Sequence, residues 1–567
     1  MDLSGYSEGA QALLGPGGSF EMAEADVGGV ILPVFANAPR HLLELYQGGL
    51  AHGDETFYVY EDERYTFNEA GDEVGRVMRA LRSMGIASGD RVGICMRNYP
   101  EWTFAFMAVT SMGGVAVAMN AWWTGEEMIY GVEDSGLKTI FVDRERLELL
   151  SPYLDTLDLN VIVVRAKHSA GRGVQPWDEF LASASDEANA PDIHPDEPAM
   201  ILYTSGSTSK PKGVLSSHRA VIHSILGWEA AAAIARADAG REPRPPERQP
   251  CMIITVPLFH VTGLNGQLLP SLRNGRKVVA MYKWDAEKAL AIIEKEGVTH
   301  FSGVPTMAYE LVNSPNYDQY DLSSLRSIGG GGAAMTPKHS KRIAERGNGT
   351  RASAAYGMTE TNGLAASNAG ANLSARPDSC GKALRPLVDI RVIDRDGNEL
   401  PTGEKGEICI KGPMNFTCYW NKPESTAETL KDGWVHTGDL GHIDSDGFVF
   451  ITGRAKEMII RGGENISCQE VEAVIYENSR VSECVVFGIP DDRLGETVAA
   501  VVMVKPGEIL TAGDVQSHVS DHLARFKVPQ YVWVTKTQLL KTASGKIYKK
   551  GIREQMLSEM QAAHQTA

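Results

Sequence analysis

The chain has 567 residues, of which 43% are hydrophobic and 22% are charged, and its formal net charge is −17 with a pI of about 5.4. Because this length exceeds what one hydrophobic core supports, we expect a globular protein of at least two domains. The negative charge argues against binding to nucleic acid or to an anionic membrane, since both require a basic face, but it leaves room for a local basic pocket for a phosphorylated ligand.

Cysteine spacing and the chain ends carry information about the compartment. The seven cysteines are dispersed and form no CxxC pair, so we expect reduced core thiols and neither a disulfide framework nor a zinc site. The N-terminus does not resemble a signal peptide, and the C-terminus carries no lipidation or peroxisomal signal, so we predict a cytoplasmic protein. The most apolar stretch, residues 103–123, is broken by glycines and polar residues and predicts a buried helix followed by a buried strand instead of a membrane span.

The first half of the chain alternates strand-like and helix-like segments. TFNE (66–69) is a capping box that predicts a helix to about Met84, RVGIC (91–95) predicts a buried strand, and TGEE (124–127) opens another capped helix. Short β-rich runs follow at KTIFVD, VIVV, AMILY, MIITV, KVVAM and THFSGV. This alternation predicts α/β layers with largely parallel sheets. Residues 229–250, an Ala-rich helix followed by a Pro/Arg loop, are expected to be peripheral and exposed. Residues 1–28 are Gly-rich and weakly patterned, so they are expected to be peripheral and are assigned no function.

The pattern changes near Arg391 to short strands separated by DGN, TGE and SDG turns, which predict antiparallel hairpins. After residues 453–467 the sequence predicts a compact α+β unit of helices and strands. Its helices are expected near 469–478 and 511–523, and its strands at ECVVFGI, TVAAVVMV and YVWV. We place the domain boundary within residues 454–457, which gives domains of residues 1–455 and 456–567.

The stretch YTSGSTSKPKGV (203–214) follows an apolar run and contains mostly small or hydroxylated residues. Its amides can approach a ligand closely, its hydroxyls can donate hydrogen bonds, and Lys210 and Lys212 add positive charge, as in loops that hold phosphate oxygens. A P-loop NTPase requires Gly-Lys followed by Ser or Thr, whereas the order here is Lys212-Gly213-Val214, so that pattern fails. Composition alone would favour a solvated surface loop.

Seven further motifs in the sequence favour a phosphate-binding loop at residues 203–214 over a solvated surface loop. The stretch resembles the signature of the adenylate-forming superfamily, which includes acyl-CoA synthetases, peptide-synthetase adenylation domains and firefly luciferase. The other motifs of that superfamily follow in its order: VPLFHVTG (256–263), GGGGAAM (329–335), YGMTE (356–360), GEICIKGP, DGWVHTGDLG (432–441), GRAKEMIIRGGENIS (453–467) and KTASGKIYKK (541–550). The resemblance extends over about residues 65–550, nearly the whole chain.

This resemblance implies a fold and a reaction. The implied fold is α/β, with a large N-terminal domain of layered α/β subdomains plus a distorted β-barrel, and a small mobile C-terminal α+β domain. The implied reaction uses ATP with Mg²⁺: a carboxylate attacks the α-phosphate to give an acyl-adenylate and pyrophosphate, and the thiol of coenzyme A then displaces AMP. A carboxylate is already a nucleophile, so the protein must neutralise phosphate charge and orient the attack, and it needs no general base.

By resemblance, a first group of residues would hold the nucleotide and the metal. The residues that would bind the β- and γ-phosphates are Thr204, Ser205, Gly206, Ser207, Thr208 and Lys212. The nucleotide site would be completed by Gly331, Gly332, Ala333, Gly357, Met358 and Tyr356, whose ring would stack on adenine. Thr359 would contact the α-phosphate, and Glu360 would ligate Mg²⁺ together with Thr204, since Mg²⁺ prefers oxygen ligands.

A second group would act on the ribose and the reacting atoms. Asp439 would accept hydrogen bonds from both ribose hydroxyls, and Arg454 would add a ribose or phosphate contact. Lys546 would bridge the attacking carboxylate and the α-phosphate in the transition state. The superfamily usually has proline and arginine before this motif; LLKTASGK replaces both, which leaves Lys546 in place and puts only the loop geometry in doubt.

The second half-reaction would use a different domain orientation, again by resemblance. Lys456 occupies the hinge position, and residues 461–467 would line the pantetheine tunnel after rotation, where Gly462 and Gly463 permit close backbone approach. His260 would position or gate the carboxylate end of the site, without acting as a base.

The expected acyl pocket is small-residue and apolar. Its walls are expected at residues 261–264, 302–305, 329–334, 358 and 361–364. These residues offer no carboxylate for an amino acid's α-amino group, which favours an apolar acid. The four glycines of residues 329–332 are expected to leave backbone exposed and room for a long or bulky chain, and a medium- or long-chain fatty acid is the first expectation. An aromatic, cinnamate-like or steroid side-chain acid is the second.

Three other functions are weighed against an acyl-CoA ligase: an adenylating enzyme that loads a carrier protein in trans, a luciferase-type monooxygenase, and a non-catalytic nucleotide sensor. The last is disfavoured because all five charged residues of the motifs are present: Lys212, Glu360, Asp439, Arg454 and Lys546. The expected partners are a small carboxylic acid, ATP and CoA, with no nucleic acid. A peripheral membrane contact for the substrate and a homodimer are left open.

Overall fold

The N-terminal part of the chain contributes seven strands to an eight-stranded sheet that helices pack against. The computed structural model describes residues 3–166, 173–184, 191–204, 210–242, 245–332, 337–347, 350–462 and 464–566. Up to residue 217 its elements are α1 (Glu8–Leu14), β1 (Met22–Val27), β2 (Val30–Phe35), α2 (Leu42–Leu50), β3 (Thr56–Tyr60), β4 (Glu63–Thr66), α3 (Phe67–Ser83), β5 (Arg91–Cys95), α4 (Pro100–Ser111), β6 (Val115–Ala118), α5 (Gly125–Ser135), β7 (Thr139–Val142), α6 (Arg144–Leu150), β8 (Asn160–Val163), β9 (Val174–Pro176), α7 (Trp177–Ala182), β10 (Pro198–Thr204) and β11 (Lys212–Ser217).

The predicted caps and buried segments of this part are confirmed. Thr66 accepts a hydrogen bond from the Glu69 N–H at 3.1 Å, and Glu69 accepts one from the Thr66 N–H at 2.8 Å, so the capping box starts α3 as expected. Helix α4 and strand β6 are buried almost completely, as the interrupted apolar stretch indicated. Strands β6, β5, β7, β8 and β9 run parallel to β10, while β11 returns antiparallel to β10.

The next part builds the parallel portion of a second sheet. Its elements are α8 (His218–Asp238), β12 (Cys251–Ile254), α9 (Val261–Gly263), a π-helical segment (Leu264–Leu268), α10 (Leu269–Arg273), β13 (Lys277–Ala280), α11 (Ala286–Glu296), β14 (His300–Gly303), α12 (Pro305–Asn313), β15 (Ser327–Gly331), α13 (Pro337–Arg346), β16 (Arg351–Tyr356), β17 (Ala366–Ala369) and α14 (Ala371–Ala375). Strands β16, β15, β14, β12, β13 and β3 lie side by side and parallel, so their carboxyl ends share one edge. Ligands of α/β proteins bind at such edges.

The predicted antiparallel hairpins continue this second sheet without a break. The elements are β18 (Gly381–Ala383), β19 (Asp389–Ile393), β20 (Gly406–Lys411), β21 (Cys418–Tyr419), α15 (Pro423–Thr429), β22 (Leu430–Lys431), β23 (Trp434–Ile443) and β24 (Phe448–Arg454). The strand order runs β19-β20-β23-β24-β18-β17-β16, so the hairpin region and the parallel strands form one hydrogen-bonded path. The exception is β21, which joins the edge of the first sheet beside β11 and therefore links the two sheets.

The small C-terminal unit has the predicted α+β composition. Its elements are β25 (Ile459–Arg461), β26 (Glu464–Ile466), α16 (Cys468–Glu477), β27 (Val481–Asp491), β28 (Gly495–Val504), α17 (Ala512–His522), β29 (Tyr531–Thr535) and α18 (Lys549–Thr566). Its five strands form their own sheet with two apolar clusters, one on each side. The α/β class with a large and a small unit is therefore confirmed, while the boundary between residues 455 and 456 stays a prediction.

One expectation about the periphery was wrong. Helix α8 begins eleven residues before Glu229 and is buried along much of its length, including Ala230, Ala233 and Ile234. The reason is the N-terminal segment, which was given no role: α1 packs against α8, and a Cβ at Gly9 would lie 3.1 Å from the Ala237 Cβ. Only the loop that follows the helix is exposed as expected, in its described residues.

Buried histidines tie the N-terminal hairpin to α8. The Phe35 N–H donates to His223 Nε2 at 3.2 Å, while His223 Nδ1 lies 3.0 Å from the Arg219 carbonyl, a pattern that suits the neutral imidazole. Burial lowers the pKa of His223 to about 4 and the pKa of His218 to about 3. Both side chains are therefore neutral in the folded protein at neutral pH.

We predict that this pair makes the large domain acid-sensitive. A histidine whose pKa is lower in the folded state contributes stability above its unfolded pKa of about 6.5, and that stability is lost as the pH falls toward the folded value. For His223 the loss between pH 6.5 and about 4 is on the order of 3 kcal/mol. Urea unfolding at graded pH should show a shallower acid loss for His223→Gln than for wild type. The exposed-residue control His194→Gln should keep the wild-type slope, and an unchanged slope in His223→Gln would contradict the assignment.

Candidate active site

A buried carboxylate organises the edge of the second sheet. Asp439 accepts hydrogen bonds from the Tyr356 hydroxyl at 2.7 Å and from Arg454 Nε at 2.8 Å. Tyr356 ends β16, and Asp439 and Arg454 are register partners on β23 and β24, so the sheet itself sets this geometry. Burial and the Asp439 charge raise the pKa of Tyr356 well above its ordinary value, which keeps the phenol protonated as a donor. The structure thus brings together three of the predicted nucleotide residues.

Glu407 fixes the backbone that presents Asp439. Its carboxylate accepts a hydrogen bond from the Gly438 N–H at 2.9 Å and lies 3.3 Å from His436 Nδ1. The Asp439 N–H donates to Thr437 Oγ1 at 3.0 Å, next to a register shift in the β23–β24 pairing. Gly438 has φ +70°, a conformation that glycine adopts without strain. The turn that directs Asp439 into the cleft is therefore stabilised by hydrogen bonds to Glu407 and to Thr437.

Glu360 is the buried acid of the site. It lies in a single 3₁₀ turn, Thr359–Thr361, and accepts a hydrogen bond from the Tyr419 hydroxyl at 2.6 Å. Burial raises the pKa of Glu360, and Tyr419, Arg454 and Lys212 partly offset the increase. Because desolvation disfavours an uncompensated carboxylate, a bound cation would stabilise Glu360, and its hard oxygen suits Mg²⁺. The donor chemistry at Glu360 therefore fits the metal that the resemblance implied.

Tyr419 was missed by the sequence analysis. It forms β21 with Cys418, pairs with Val214 on β11 and thereby comes to lie beside Lys212. Lys212 Nζ lies 4.8 Å from the centre of the Tyr419 ring and donates to Ser425 Oγ at 3.0 Å. No signal within the local sequence YWN predicts this contact, because a two-residue strand crosses from one sheet to the other.

The phosphate loop is described at its two ends. Thr204, the last residue of β10, faces Lys212, the first residue of β11, and Thr204 Oγ1 donates to the Lys212 carbonyl at 3.4 Å. The predicted phosphate ligands Ser205, Gly206, Ser207 and Thr208 lie outside the described residues, as do Ala333 and Gly463. Lys212, at one described end of the loop, therefore lies beside Tyr419, whose hydroxyl donates to Glu360.

Lys546 reaches the cleft from the small unit. A Cβ placed on Gly332, which has φ +79°, would lie 3.3 Å from Lys546 Nζ and 3.8 Å from Thr262 Oγ1. Burial and the Arg454 charge lower the pKa of Lys546 to about 8, while Asp439 acts in the opposite direction. The same environment lowers the pKa of His260 to about 3, through burial and the Lys546 charge, so His260 is neutral here.

The glycine run differs from its prediction. Gly329, Gly330 and Gly331 are buried in β15, and Gly332 alone is exposed. A Cβ at Gly329 would lie 2.2 Å from Ser353 Oγ, and one at Gly330 would lie 2.8 Å from the Gly303 carbonyl oxygen. The expectation of exposed backbone and spare room is therefore wrong for the first three glycines, because neighbouring strands β16 and β14 already fill that space.

The remaining predicted residues have structural contacts of their own. Gly357 packs so closely that a Cβ would lie 2.5 Å from the Gly363 carbonyl carbon, and the Met358 side chain packs against the cluster around Phe416. Lys456 is exposed in a 3₁₀ turn, Ala455–Glu457, that joins β24 to β25. Gly462 has φ +59° and donates its N–H to the Leu494 carbonyl at 2.8 Å, within the small unit. The structure does not bring Gly462 to the Lys546 cluster.

The profile of the AMP-binding enzyme family matches residues 47–420, and that of the AMP-binding enzyme C-terminal domain matches residues 470–546. The chain belongs to the AMP-binding enzyme family. An indoleacetate–CoA ligase of Aromatoleum aromaticum is 33% identical over 511 residues, which cover 89% of this chain and 96% of that protein. A long-chain-fatty-acid–CoA ligase of Bacillus subtilis is 31% identical over 535 residues, covering 88% of this chain and 92% of that protein.

Solved structures agree with this membership. ATP-bound MatB from Rhodopseudomonas palustris superposes with a TM-score of 0.79 at 28% identity, over 91% of this chain and 98% of that one. The predicted superfamily is therefore confirmed, and the protein is an ATP-dependent, AMP-forming acid–CoA ligase that uses ATP, CoA and Mg²⁺. The relatives' names include both an aromatic and a fatty acid, so they do not separate the two predicted acid classes. Among the described helices, none has the length and apolarity to cross a bilayer.

We predict that Arg454 keeps the Lys546 pKa low. Removal of the guanidinium by Arg454→Gln eliminates a positive neighbour and frees Asp439 to interact with Lys546, so the Lys546 pKa should rise above about 8. The measurement is the pH dependence of acetic anhydride labelling of the Lys546 peptide, followed by mass spectrometry. Arg376→Gln, whose guanidinium pairs with Asp444 and Asp446, is the matched control. A Lys546 pKa that stays the same or falls in Arg454→Gln would contradict this account.

Proposed function

We propose that the described arrangement is the adenylation state of the enzyme, with Lys546 as the cation that acts on the reacting atoms. The observation that carries the proposal is the approach of Lys546 Nζ to Gly332, within range of the charges of Arg454 and Asp439. A carboxylate oxygen attacks the α-phosphorus, the bond from this phosphorus to the bridging oxygen breaks, and pyrophosphate leaves. Lys546 balances the charge that develops on these oxygens, in a partly dehydrated cleft where such a contact is strong.

The other residues would bind ATP around this cation. Asp439 would exchange its protein donors for the ribose hydroxyls, and Tyr356 would face the adenine. Glu360 and Thr204 would ligate the Mg²⁺, which supplies charge neutralisation of the phosphates when bound. Thr359 would contact the α-phosphate, and Lys212, with the segment after Thr204, would bind the outgoing pyrophosphate. His260, neutral and beside Lys546, would orient the attacking carboxylate.

The thioester step would require the small unit to turn about the predicted boundary. Lys456 lies exposed in the single turn between the two units, which suits a pivot. Gly462 and Gly463 are proposed to reach the cleft only after this rotation, which fits the position of Gly462 away from Lys546 in the described state. The CoA sulfur would then attack the acyl carbon, and the carbon–oxygen bond to AMP would break.

We expect Lys546→Ala to separate the half-reactions. Loss of a charge-stabilising donor in a transition state costs about 100-fold or more, so acid-dependent pyrophosphate release should fall by at least that factor. Thioester formation from synthetic acyl-adenylate and CoA should be unchanged. The matched control is Lys550→Ala, since Lys550 is exposed nearby and pairs with Glu554. Equal loss in both half-reactions would contradict the assignment of Lys546 to adenylation.

We further propose that the acid is apolar and that a medium- or long-chain fatty acid fits best. From Val261 to Leu272 the helical segment is buried at every position except Thr262 and Gly266, which lie one turn apart on one face. Thr262 borders the Gly332–Lys546 cleft, and a Cβ at Gly266 would have nothing within 4 Å. We infer that this face continues the cleft as a groove, one turn beyond the expected wall at residues 261–264.

An aromatic acid is the second candidate. The observation in its favour is the likeness to an indoleacetate–CoA ligase over 96% of that protein. A compact ring system would occupy the groove near Thr262 without reaching Gly266. A long-chain acid therefore requires open space at Gly266, whereas an aromatic acid does not.

The substitution Gly266→Phe distinguishes these candidates. It should lower kcat/KM for long-chain acids by at least about 10-fold while sparing short-chain acids, because the ring closes the groove one turn beyond the reacting carboxylate. The assay is CoA ligation with fatty acids of graded length and with aromatic acids. Gly48→Phe is the control, since Gly48 is also an exposed helical glycine in open space. If wild type turns over only aromatic acids, the fatty-acid proposal fails; if holo-carrier protein is acylated far faster than CoA, the carrier-loading alternative gains instead.

A further inference from the structure

The loop that carries Lys546 is closed on itself. Lys541 and Ile547 form an isolated antiparallel bridge, and the Thr542 N–H donates to the Lys546 carbonyl at 2.7 Å. In return the Lys546 N–H donates to Thr542 Oγ1 at 3.2 Å. The two lysines at the ends of this loop therefore move together, and a contact that holds Lys541 also holds Lys546.

One face of α12 receives this loop. Near the start of the helix, a Cβ on Gly545 would lie 2.9 Å from Met307 Cε, and Thr306 Oγ1 donates to the Gly545 carbonyl at 3.5 Å. One turn further, Glu310 Oε1 accepts a hydrogen bond from Lys541 Nζ at 3.0 Å. Residues four positions apart share a helix face, so Thr306 and Glu310 form a two-point docking surface.

Glu310 is itself held in place. Its second oxygen, Oε2, accepts a hydrogen bond from Trp284 Nε1 at 2.5 Å, and the Trp284 ring packs on Phe301 of β14. The carboxylate is therefore fixed between a rigid indole and the incoming lysine. An ion pair gains most when its partners do not have to be ordered for the contact.

Lys541 has a second partner within the small unit. Its Nζ lies 2.8 Å from Glu483 Oε1 on β27, and the Lys541 side chain is 18% exposed. Burial disfavours the Lys541 charge, but Glu310 and Glu483 outweigh this effect and raise its pKa. Rotation of the small unit would keep the Lys541–Glu483 contact and break the Lys541–Glu310 contact. Glu310 is thus the partner specific to the described orientation.

We propose that the Lys541–Glu310 ion pair is a positioning contact for adenylation: it docks the Lys546 loop on α12 in the first half-reaction and is released in the second. This inference rests on the proposed role of Lys546 in adenylation. Lys541 occupies the position before the threonine where the superfamily usually has arginine, so this position keeps a cation. The single ammonium nitrogen of Lys541 contacts both Glu310 and Glu483, whereas arginine would present a planar guanidinium.

The test is Glu310→Gln, which keeps an oxygen acceptor for Trp284 and removes only the charge. Leaving Lys541 intact also avoids an unpaired Glu483, whose Oε2 is buried without a hydrogen-bond partner among the described residues. Acid-dependent pyrophosphate exchange should fall by about 3- to 10-fold, the range for losing a partly exposed charged hydrogen bond. Thioester formation from acyl-adenylate and CoA should be unchanged or faster, and Lys541→Arg should retain exchange because the charge is kept.

Glu287→Gln is the matched control, since Glu287 binds Ser314 and Asn316 within the same layer and makes no described contact with the small unit. It should leave both half-reactions as in wild type. Equal loss of both half-reactions in Glu310→Gln, or no loss in either, would overturn the positioning role. If Lys546→Ala lowers exchange but Glu310→Gln does not, this inference alone fails; if neither does, the proposed function of Lys546 fails as well.

Discussion

The carboxylate of Asp439 is the interaction on which the rest of the site depends. It is buried at the edge of the second sheet and is bound by Tyr356 from β16 and Arg454 from β24. Its charge also offsets part of the desolvation that Lys546 experiences in the cleft. A buried carboxylate needs such partners because its solvation is otherwise lost. One anion therefore aligns two segments of the large unit and lowers the cost of bringing a cation from the small unit into the cleft.

Each buried carboxylate of the site is bound by protein groups whose place a bound nucleotide or metal ion can take. Glu360 is flanked by Tyr419 and Lys212, and Asp439 by Tyr356 and Arg454. In each case a protein donor occupies the place that a metal or ribose would take in the proposed ATP complex. Pre-arranged partners of this kind cost little reorganisation when ligand binds, which is the basis of electrostatic catalysis. Burial and the charge of Arg454, which is bound to Asp439 in the described arrangement, lower the pKa of Lys546.

Local sequence predicted the elements well and the contacts between distant elements poorly. The capping boxes at Thr66 and Thr124, the buried segments β5, β6 and β7, and the small α+β unit all appear as expected, because caps and periodicity are local signals. Tyr419, Glu310 and Gly266 were missed, since each gains its role from a partner far along the chain or from open space beside a helix. The room expected at Gly329 and Gly330 fails for the same reason: neighbouring strands fill it. The family motifs predicted the chemistry, and their spacing carries no information about the acid.

The central claim is that two orientations of the small unit serve the two half-reactions. Electron–electron distance measurements between spin labels at Gln319→Cys on the large unit and Ile509→Cys on the small unit test it directly, because both positions are exposed and five of the seven native cysteines are buried. With ATP and Mg²⁺, the distance distribution should match the described orientation. With an acyl-adenylate analogue and CoA it should shift to a second distance, and Lys456→Pro should suppress that shift. A single distribution that is the same under both conditions would contradict the account.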